Sequence, residues 1–158
     1  MFREMRRARQ AVSAEECQRI LQTEGRGVLS LAGDDGYPYG LPMNFYYAPE
    51  DNAIYFHTGK AGHKLDAIRR CDKACFTVWQ QTGKDPGDWA WHVTSVIAMG
   101  RAECISDPAR TEEMVRRLAL KYYPDADAVE AEIRAAIQHV QLVALHIEHM
   151  TGKQIHEK

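Results

Sequence analysis

A glycine-containing segment between a predicted strand and a predicted helix has the residue types of an anion-binding site. The segment spans residues 57–65, and Gly59 and Gly62 allow a ligand to approach the backbone closely. His63 and Lys64 fall in the first turn of the helix, where the positive end of the helix dipole disfavours cations. A bound phosphate would explain this placement, because the free N–H groups at a helix start bind anions.

The same spacing also has a purely structural interpretation. Gly59 and Gly62 could form an ordinary tight turn, with Lys60 and Lys64 as solvated surface residues. Short motifs mislead often, so this segment by itself favours the structural interpretation. In the phosphate interpretation, Lys60 or Lys64 supplies the positive charge, and only the wider pattern of the chain favours that alternative.

Histidines concentrate towards the C-terminal end and raise the question of a metal site. They are His139, His146, His149 and His156. His146 and His149 fall on opposite faces of a predicted strand, and no cysteine or carboxylate arrangement completes a familiar zinc or iron site. We therefore predict that the chain binds no metal.

Composition favours a small ligand over a large charged partner. A chain of 158 residues is in the range of one domain, taken as residues 1–158. The 20 basic and 22 acidic side chains nearly cancel, so we expect neither nucleic acid nor a membrane surface as partner. No signal peptide or membrane-spanning stretch is evident, and the four cysteines form no CxxC pair, which indicates a cytoplasmic protein with reduced thiols.

Hydrophobic periodicity predicts helices at the chain start and near its end, with strands between them. A capping box at Ser13–Glu16 starts a helix that ends near residue 23 or 24, and a short helix follows Gly62. Asp107 caps a helix that stops at Pro124, and Asp127 with Glu130 caps another that ends near residue 138. The predicted strands span residues 28–32, 37–47, 53–58, 74–80, 93–105 and 140–147.

This order of elements predicts a mainly β (α+β) fold. Strands mostly follow strands, so an antiparallel barrel, closed or split, with peripheral helices is favoured over a doubly wound parallel sheet. Pro38 and Pro42 place the second strand at an edge or bulge, and Gly100 marks a bend in the fifth. The GxGxxG and GxxxxGK[ST] phosphate loops are absent from the sequence.

Seven short motifs occur in an order that resembles a known family. They are Gly36-Tyr37-Pro38, Pro42-Met43-Asn44-Phe45, Tyr55-Phe56-His57-Thr58, Gly62-His63-Lys64-Leu65, Ser95-Val96, Gly100-Arg101-Ala102 and Thr151-Gly152-Lys153. The chain resembles the 5-nitroimidazole-resistance proteins within the pyridoxamine 5′-phosphate oxidase-like, FMN-binding split-barrel group. The resemblance extends from about Arg6 to Gln154.

The resemblance implies a six-stranded split barrel that forms a homodimer and holds two FMN molecules at the subunit interface. Residues carried over to the flavin ring are Pro42, Met43 and Asn44, with His57 and Thr58 at the ring or ribityl chain. Those carried over to the phosphate are Gly62, His63 and Lys64, with Ser95 beside the same site and 151–153 near the interface.

The resemblance transfers the flavin site better than the reaction. The polar loop of residues 81–91, which would shape a second substrate, varies within the family, and residues specific to pyridoxamine phosphate oxidases are not evident. Trp89 and Trp91 could stack on the flavin or pack in the core or interface, whereas packing is favoured for Tyr46 and Tyr47.

His57 is the candidate catalytic residue, because a histidine beside a flavin can hydrogen-bond the ring or relay a proton near neutral pH. Simple contact with the flavin is favoured over proton transfer, and a structural histidine at a strand end is the alternative. We expect an FMN-dependent oxidoreductase that reduces a small substrate, for example a nitroaromatic one, with electrons from a reduced nicotinamide or another carrier. The alternatives are a non-catalytic flavin sensor, carrier or store, and a haem or deazaflavin protein on the same barrel.

Overall fold

The computed structural model describes residues 1–157, which form one seven-stranded antiparallel sheet surrounded by four α-helices. The strands are β1 Gly27–Ala32, β2 Pro38–Met43, β3 Tyr46–Ala48, β4 Ala53–Gly59, β5 Lys73–Lys84, β6 Trp91–Ile105 and β7 Val140–His156. The helices are α1 Ala14–Thr23, α2 His63–Arg70, α3 Pro108–Tyr122 and α4 Ala126–Ala136. None of the helices in the described range is both long and apolar enough to cross a membrane.

The strand order shows why the sheet is a split barrel. The order is β2-β1-β5-β6-β7-β4-β3, so the two edge strands are β2 and β3, which are consecutive in the chain. Only Asn44 and Phe45 separate them, so the sheet must curl until its two edges meet. No ladder joins β2 to β3 in the described residues, and the barrel is therefore open along this line.

The predicted fold class is confirmed, with one difference in strand number. Six strands were expected and seven are present, because the strand predicted for residues 37–47 is interrupted at Asn44 and Phe45. Its first part, β2, is an edge strand, as Pro38 and Pro42 had indicated. The register shift beside Gly100 likewise confirms the predicted irregularity in β6.

Helix capping follows the sequence at two of the three predicted sites. The backbone N–H of Glu16 donates to Ser13 Oγ at 3.2 Å, and that of Ala109 donates to Asp107 Oδ1 at 3.0 Å. The predicted cap of α4 is wrong: Asp125, whose backbone is extended, accepts from Ala128 N at 3.1 Å. Asp127 instead lies in the first turn, because the helix starts one residue before it.

The last strand is longer than its apolar pattern indicated. The prediction ended at residue 147, whereas β7 continues to His156, since it pairs with β6 up to the pair His92–His156. The segment 151–153 is therefore part of the central ladder. Polar residues continue this strand because its outward face lies on the surface of the sheet.

The barrel interior is filled by aromatic and aliphatic side chains from both halves of the sheet. Phe45 and Phe56 both contact Phe76 edge-to-face, with ring centroids 4.8 Å and 5.0 Å apart. All three rings are buried, so this cluster joins the residue in the gap to the middle of the sheet.

The cysteines are unpaired, as predicted from their spacing. Burial raises the pKa of the Cys17, Cys75 and Cys104 thiols above its usual value. Thiols with a raised pKa are poor nucleophiles, which supports their interpretation as packing residues.

The irregularity at Gly100 predicts a stability effect. A Cβ atom at this position would overlap the carbonyl oxygen of His146 on β7, which is backbone and cannot move aside. We expect Gly100→Ala to lower the free energy of unfolding by about 1–3 kcal/mol in urea titration, through overpacking. Gly40→Ala is the control, since its Cβ would meet Val28 Cγ1 at an ordinary 3.5 Å. Equal stabilities of the two variants would contradict the structural role of Gly100.

Candidate functional site

The backbone of Phe45, in the gap between β2 and β3, is held by a tyrosine of α3. Phe45 N donates to Tyr122 Oη at 2.8 Å. The same hydroxyl lies 2.6 Å from Gly25 O and 2.9 Å from Phe45 O, so it can donate to either carbonyl. The side chain thus replaces the ladder bonds that Phe45 lacks.

A half-buried lysine, Lys121, reinforces the same segment. Lys121 Nζ donates to the carbonyl oxygens of Glu24 at 2.7 Å, Phe45 at 3.2 Å and Leu21 at 3.5 Å. It also lies 4.0 Å from the centroid of the Phe45 ring. Burial lowers the pKa of Lys121 to about 8, and the nearby Glu24 carboxylate only partly opposes this. The end of α3 therefore fixes the backbone beside Asn44.

Asn44 and His57 meet at a cavity between the barrel and the helices α3 and α4. The cavity has a volume of about 490 Å³, and apolar side chains such as Val115, Leu118 and Ile133 form much of its wall. Asn44 Oδ1 is buried without a hydrogen-bond partner among residues 1–157. A buried acceptor without a donor is costly, so a ligand N–H would stabilise it.

His57 lies near the end of β4, opposite Leu142 of β7. Its side chain is exposed at the surface, yet the protein atoms around the ring displace water, and this together with the positive charge of Lys64 lowers the pKa of His57 below its usual value. At neutral pH the ring is therefore uncharged and can act as both a hydrogen-bond donor and an acceptor.

Lys64 is a half-buried cation without a counter-charge. Its Nζ donates to Thr58 Oγ1 at 3.0 Å, and burial lowers the pKa of Lys64 below its usual value. Within residues 1–157, no carboxylate forms a salt bridge with it. A desolvated ammonium next to a neutral hydroxyl is suited to bind an anion.

The start of α2, beside Lys64, likewise lacks a side-chain partner among the described residues. Gly62 is the N-cap residue of α2, with φ of 127° and no side chain to cap the helix. A Cβ added to Gly59 or Gly62 would meet nothing within 4 Å, so the backbone there faces open space. The positive end of the helix dipole and the Lys64 ammonium are thus available to the same ligand.

The side chain of His63, a residue expected at the phosphate, packs beside the turn between β1 and β2. Its ring stacks on Tyr39 with centroids 4.2 Å apart, and Nε2 lies 3.3 Å from Asp34 Oδ2. The imidazole is directed at the turn between β1 and β2. Any contribution of His63 to an anion at the helix start therefore comes from its backbone N–H.

Pro42 and Met43 directly precede Asn44 at the end of β2. Pro42 is exposed, and Met43 is buried and opposite Gly27 of β1. Neither side chain lines the cavity, so their contact with a ring would be made by the surface of Pro42 and by backbone atoms.

Ser95 is not brought to the cavity within one chain. It lies on β6 between Trp79 and Lys153, and its groove includes Thr151 and the apolar Ile97. Ser95, Trp79 and Lys153 lie on the outer face of the sheet, on the side away from the core.

The aromatic residues considered above divide between the core and the surface. Tyr47 is buried and Tyr46 packs against the second core cluster, as predicted. Trp89 is 70% exposed and Trp91 38% exposed, so neither packs in the core of the chain. Neither lines the cavity at Asn44 and His57.

Lys121, Tyr122 and the cavity wall were missed by sequence reasoning. Tyr122 follows Met114 and Leu118 at four-residue spacing, which is typical of an apolar packing position, and a lysine at the end of a helix is an ordinary C-terminal residue. Their partners are 76 and 77 residues away in the chain, at Phe45. Only a prediction of the tertiary packing could have found these contacts.

The family comparison agrees with this architecture. The sequence model of the family described as pyridoxamine 5′-phosphate oxidase matches residues 13–154. The chain therefore belongs to this family, and the predicted resemblance is confirmed. A comparison of the chain with curated proteins gave no match.

Solved structures share the fold at low sequence identity. A presumed 5-nitroimidazole antibiotic resistance protein from Bacteroides thetaiotaomicron is similar with a TM-score of 0.79 and 20% identity, over 93% of this chain and 87% of that one. The flavocytochrome Anf3 from Azotobacter vinelandii is similar with a TM-score of 0.76 and 23% identity, over 95% of this chain and 71% of that one. A FAD- and haem-binding protein from Mycobacterium smegmatis is similar with a TM-score of 0.73 and 18% identity, over 91% of this chain and 72% of that one.

The half-buried Lys121 predicts a pH-dependent stability. Its pKa of about 8 is below the 10.5 of an exposed lysine, so the unfolded chain binds more protons between these values. The stability of the protein relative to Lys121→Met should therefore rise between pH 8 and pH 10, by on the order of 1–3 kcal/mol. Urea unfolding of both proteins at each pH measures this difference. A difference in the free energy of unfolding that stays constant between pH 8 and pH 10 would contradict the lowered pKa of Lys121.

Proposed function

We propose that this protein is an FMN-dependent oxidoreductase that uses the surface from Asn44 to Lys64 as its flavin site. The observation that carries the proposal is Lys64, a desolvated cation for which the described residues provide no carboxylate partner, beside the uncapped start of α2. A phosphate monoester carries the charge and the acceptor oxygens that this arrangement can bind. Membership of the pyridoxamine 5′-phosphate oxidase family supports the assignment.

The side chain of Asn44 supports the proposal that a flavin ring binds next to that phosphate site. Its buried Oδ1 has no donor among the described residues, and a flavin ring offers an N–H group on its pyrimidine edge. Pro42 and Met43 would lie along the ring, and Thr58 along the ribityl chain. Gly62 and the backbone of His63, with the Lys64 side chain, would hold the phosphate. When bound, FMN supplies the hydride and electron transfer, and the protein supplies position and electrostatics.

The outer face of the sheet supports a homodimer as the functional unit. Trp79 is 53% exposed and Met99 39% exposed on the face that carries Ser95 and Lys153. Exposed apolar side chains within a polar face are typical of an interface between copies of a chain. In the dimer we propose, Ser95 and the segment 151–153 contribute to the flavin site of the second chain.

The cavity at Asn44 and His57 favours a catalyst over a flavin carrier. A carrier needs no space beside the ring, whereas this cavity of about 490 Å³ can hold a small molecule. Its apolar wall selects an apolar or aromatic substrate, of which a nitroaromatic compound is one example. The neutral His57 can hydrogen-bond that substrate or the ring, and the electrons come from a reduced nicotinamide or another carrier.

The bound cofactor can be identified by the absorption spectrum of the purified protein and by chromatography of what it releases on denaturation. We expect FMN. Released FAD or haem would contradict the cofactor assignment, and these are the groups named for the M. smegmatis neighbour. FMN without turnover across a panel of donors and acceptors would support the carrier alternative instead.

The phosphate contact can be tested by comparing Lys64 in the first turn of α2 with Lys60 in the turn before it. Lys64→Gln should weaken FMN binding by about 10- to 150-fold, which corresponds to the loss of a charge-assisted hydrogen bond of about 1.5–3 kcal/mol. Lys60→Gln is the control, because Lys60 is exposed and borders a different groove. Fluorescence titration with FMN measures both variants. Equal losses in both would show a general charge effect rather than a site at Lys64.

The lowered pKa of His57 predicts the pH profile of turnover. Since desolvation and Lys64 hold this pKa below 6.5, kcat/KM should be flat above pH 7 and should change only below pH 6.5. His57→Gln should remove the change and lower kcat/KM about fivefold, the value of one hydrogen bond. Rate measurements from pH 5 to pH 8 test this. An identical profile in the variant would rule out His57 as the titrating group.

A further inference from the structure

Two histidines are stacked at the end of the central strands, away from the cavity. His92 near the start of β6 lies directly opposite His156 at the end of β7. Their rings are nearly parallel, with centroids 4.3 Å apart and an interplanar angle of 12°. This arrangement directs both side chains to the same side of the sheet, beneath the loop of residues 85–90.

That loop supplies a carboxylate to each histidine. Asp85 Oδ1 lies 3.0 Å from His92 Nε2, and Asp88 Oδ2 lies 3.1 Å from His156 Nε2. One ligand atom each from Asp85, His92 and His156 can be chosen so that all lie within 4.8 Å of one another. Rotation of the stacked rings and of the Asp85 side chain would let one metal ion contact all three residues.

The Nε2 atom of His156 indicates that the cluster is incomplete without a cation. The atom is buried, and although it is close to Asp88, no contact within residues 1–157 has hydrogen-bond geometry for it. A divalent ion would be bound by the imidazole lone pairs and attracted by the neighbouring carboxylates.

We propose that Asp85, His92 and His156 form a binding site for a divalent transition metal of the Zn²⁺ class. Imidazole nitrogen with carboxylate oxygen is a ligand set that suits this class better than Mg²⁺ or Ca²⁺. Asp88 is a supporting carboxylate: its Oδ1 accepts from Ala90 N at 3.1 Å while its Oδ2 faces His156. Water completes the coordination.

The bound ion would fix the loop that carries Trp89. The contacts within this loop include the hydrogen bond from Asp88 N to Asp85 O at 2.9 Å. The metal links Asp85 of this loop to both β6 and β7, so it adds a cross-link between three chain segments. The sequence-based prediction of no metal considered only the C-terminal histidines, whereas two of the three ligands lie between residues 85 and 92.

The site can be tested with tag-free, full-length protein freed of metal by a chelator. Titration with Co²⁺, followed by its visible ligand-field bands, should show one equivalent bound per chain. Asp85→Asn and His156→Gln should each lower the affinity at least about tenfold. His146→Asn is the matched control: His146 also faces a carboxylate, Glu103 at 2.8 Å, but belongs to no group of three possible metal ligands among residues 1–157.

Thermal unfolding provides the second measurement. Zn²⁺ should raise the Tm of the wild-type protein and of His146→Asn more than that of Asp85→Asn at the same Zn²⁺ concentration, because a ligand of the folded state stabilises less when its affinity is lower. Asp85 is exposed in a loop, so its variant keeps the fold even if His156→Gln does not. No Co²⁺ binding at millimolar concentration, or equal binding by Asp85→Asn and His146→Asn, would overturn the proposal.

Discussion

The structure depends on which groups replace the missing backbone hydrogen bonds at one interruption of the sheet. At Asn44 and Phe45 the two edge strands meet without a ladder, so backbone groups there need other partners. Lys121 and Tyr122, at the end of α3, provide them. The Phe45 ring is meanwhile buried against Phe76 in the core. These contacts fix the backbone at the gap in the barrel, and the side chain of Asn44 lines the adjoining cavity.

The second constraint is electrostatic. Desolvating an ammonium is unfavourable unless a partner compensates, and Lys64 has only the Thr58 hydroxyl within the described structure. The uncapped start of α2 adds a partial positive charge to the same place. Since Lys64 is also the charge that lowers the pKa of His57, an anion bound at Lys64 would weaken that effect. The phosphate site and the chemistry of His57 are thus coupled.

The sequence predicted what local patterns determine. The capping residues Ser13 and Asp107, the edge character of β2 and the irregularity at Gly100 all follow from residue type and spacing. The sequence did not predict the features that depend on contacts between residues distant in the chain. The break at Asn44 requires Tyr122, and the length of β7 requires its ladder with β6. The residues of the flavin motif stay predictions. The family resemblance implies Asn44 and His57, and the strand-to-helix segment indicates Lys64, whereas the cavity wall comes from helix packing.

The most direct test of the central claim compares FMN with riboflavin, which has the same ring and ribityl chain but no phosphate. Flavin fluorescence titration of the purified apoprotein gives both dissociation constants. If the Lys64 ammonium and the start of α2 bind the phosphate, FMN should bind at least about tenfold more tightly, the equivalent of about 1.4 kcal/mol. Equal affinities for the two flavins would show that this part of the chain is not a phosphate site.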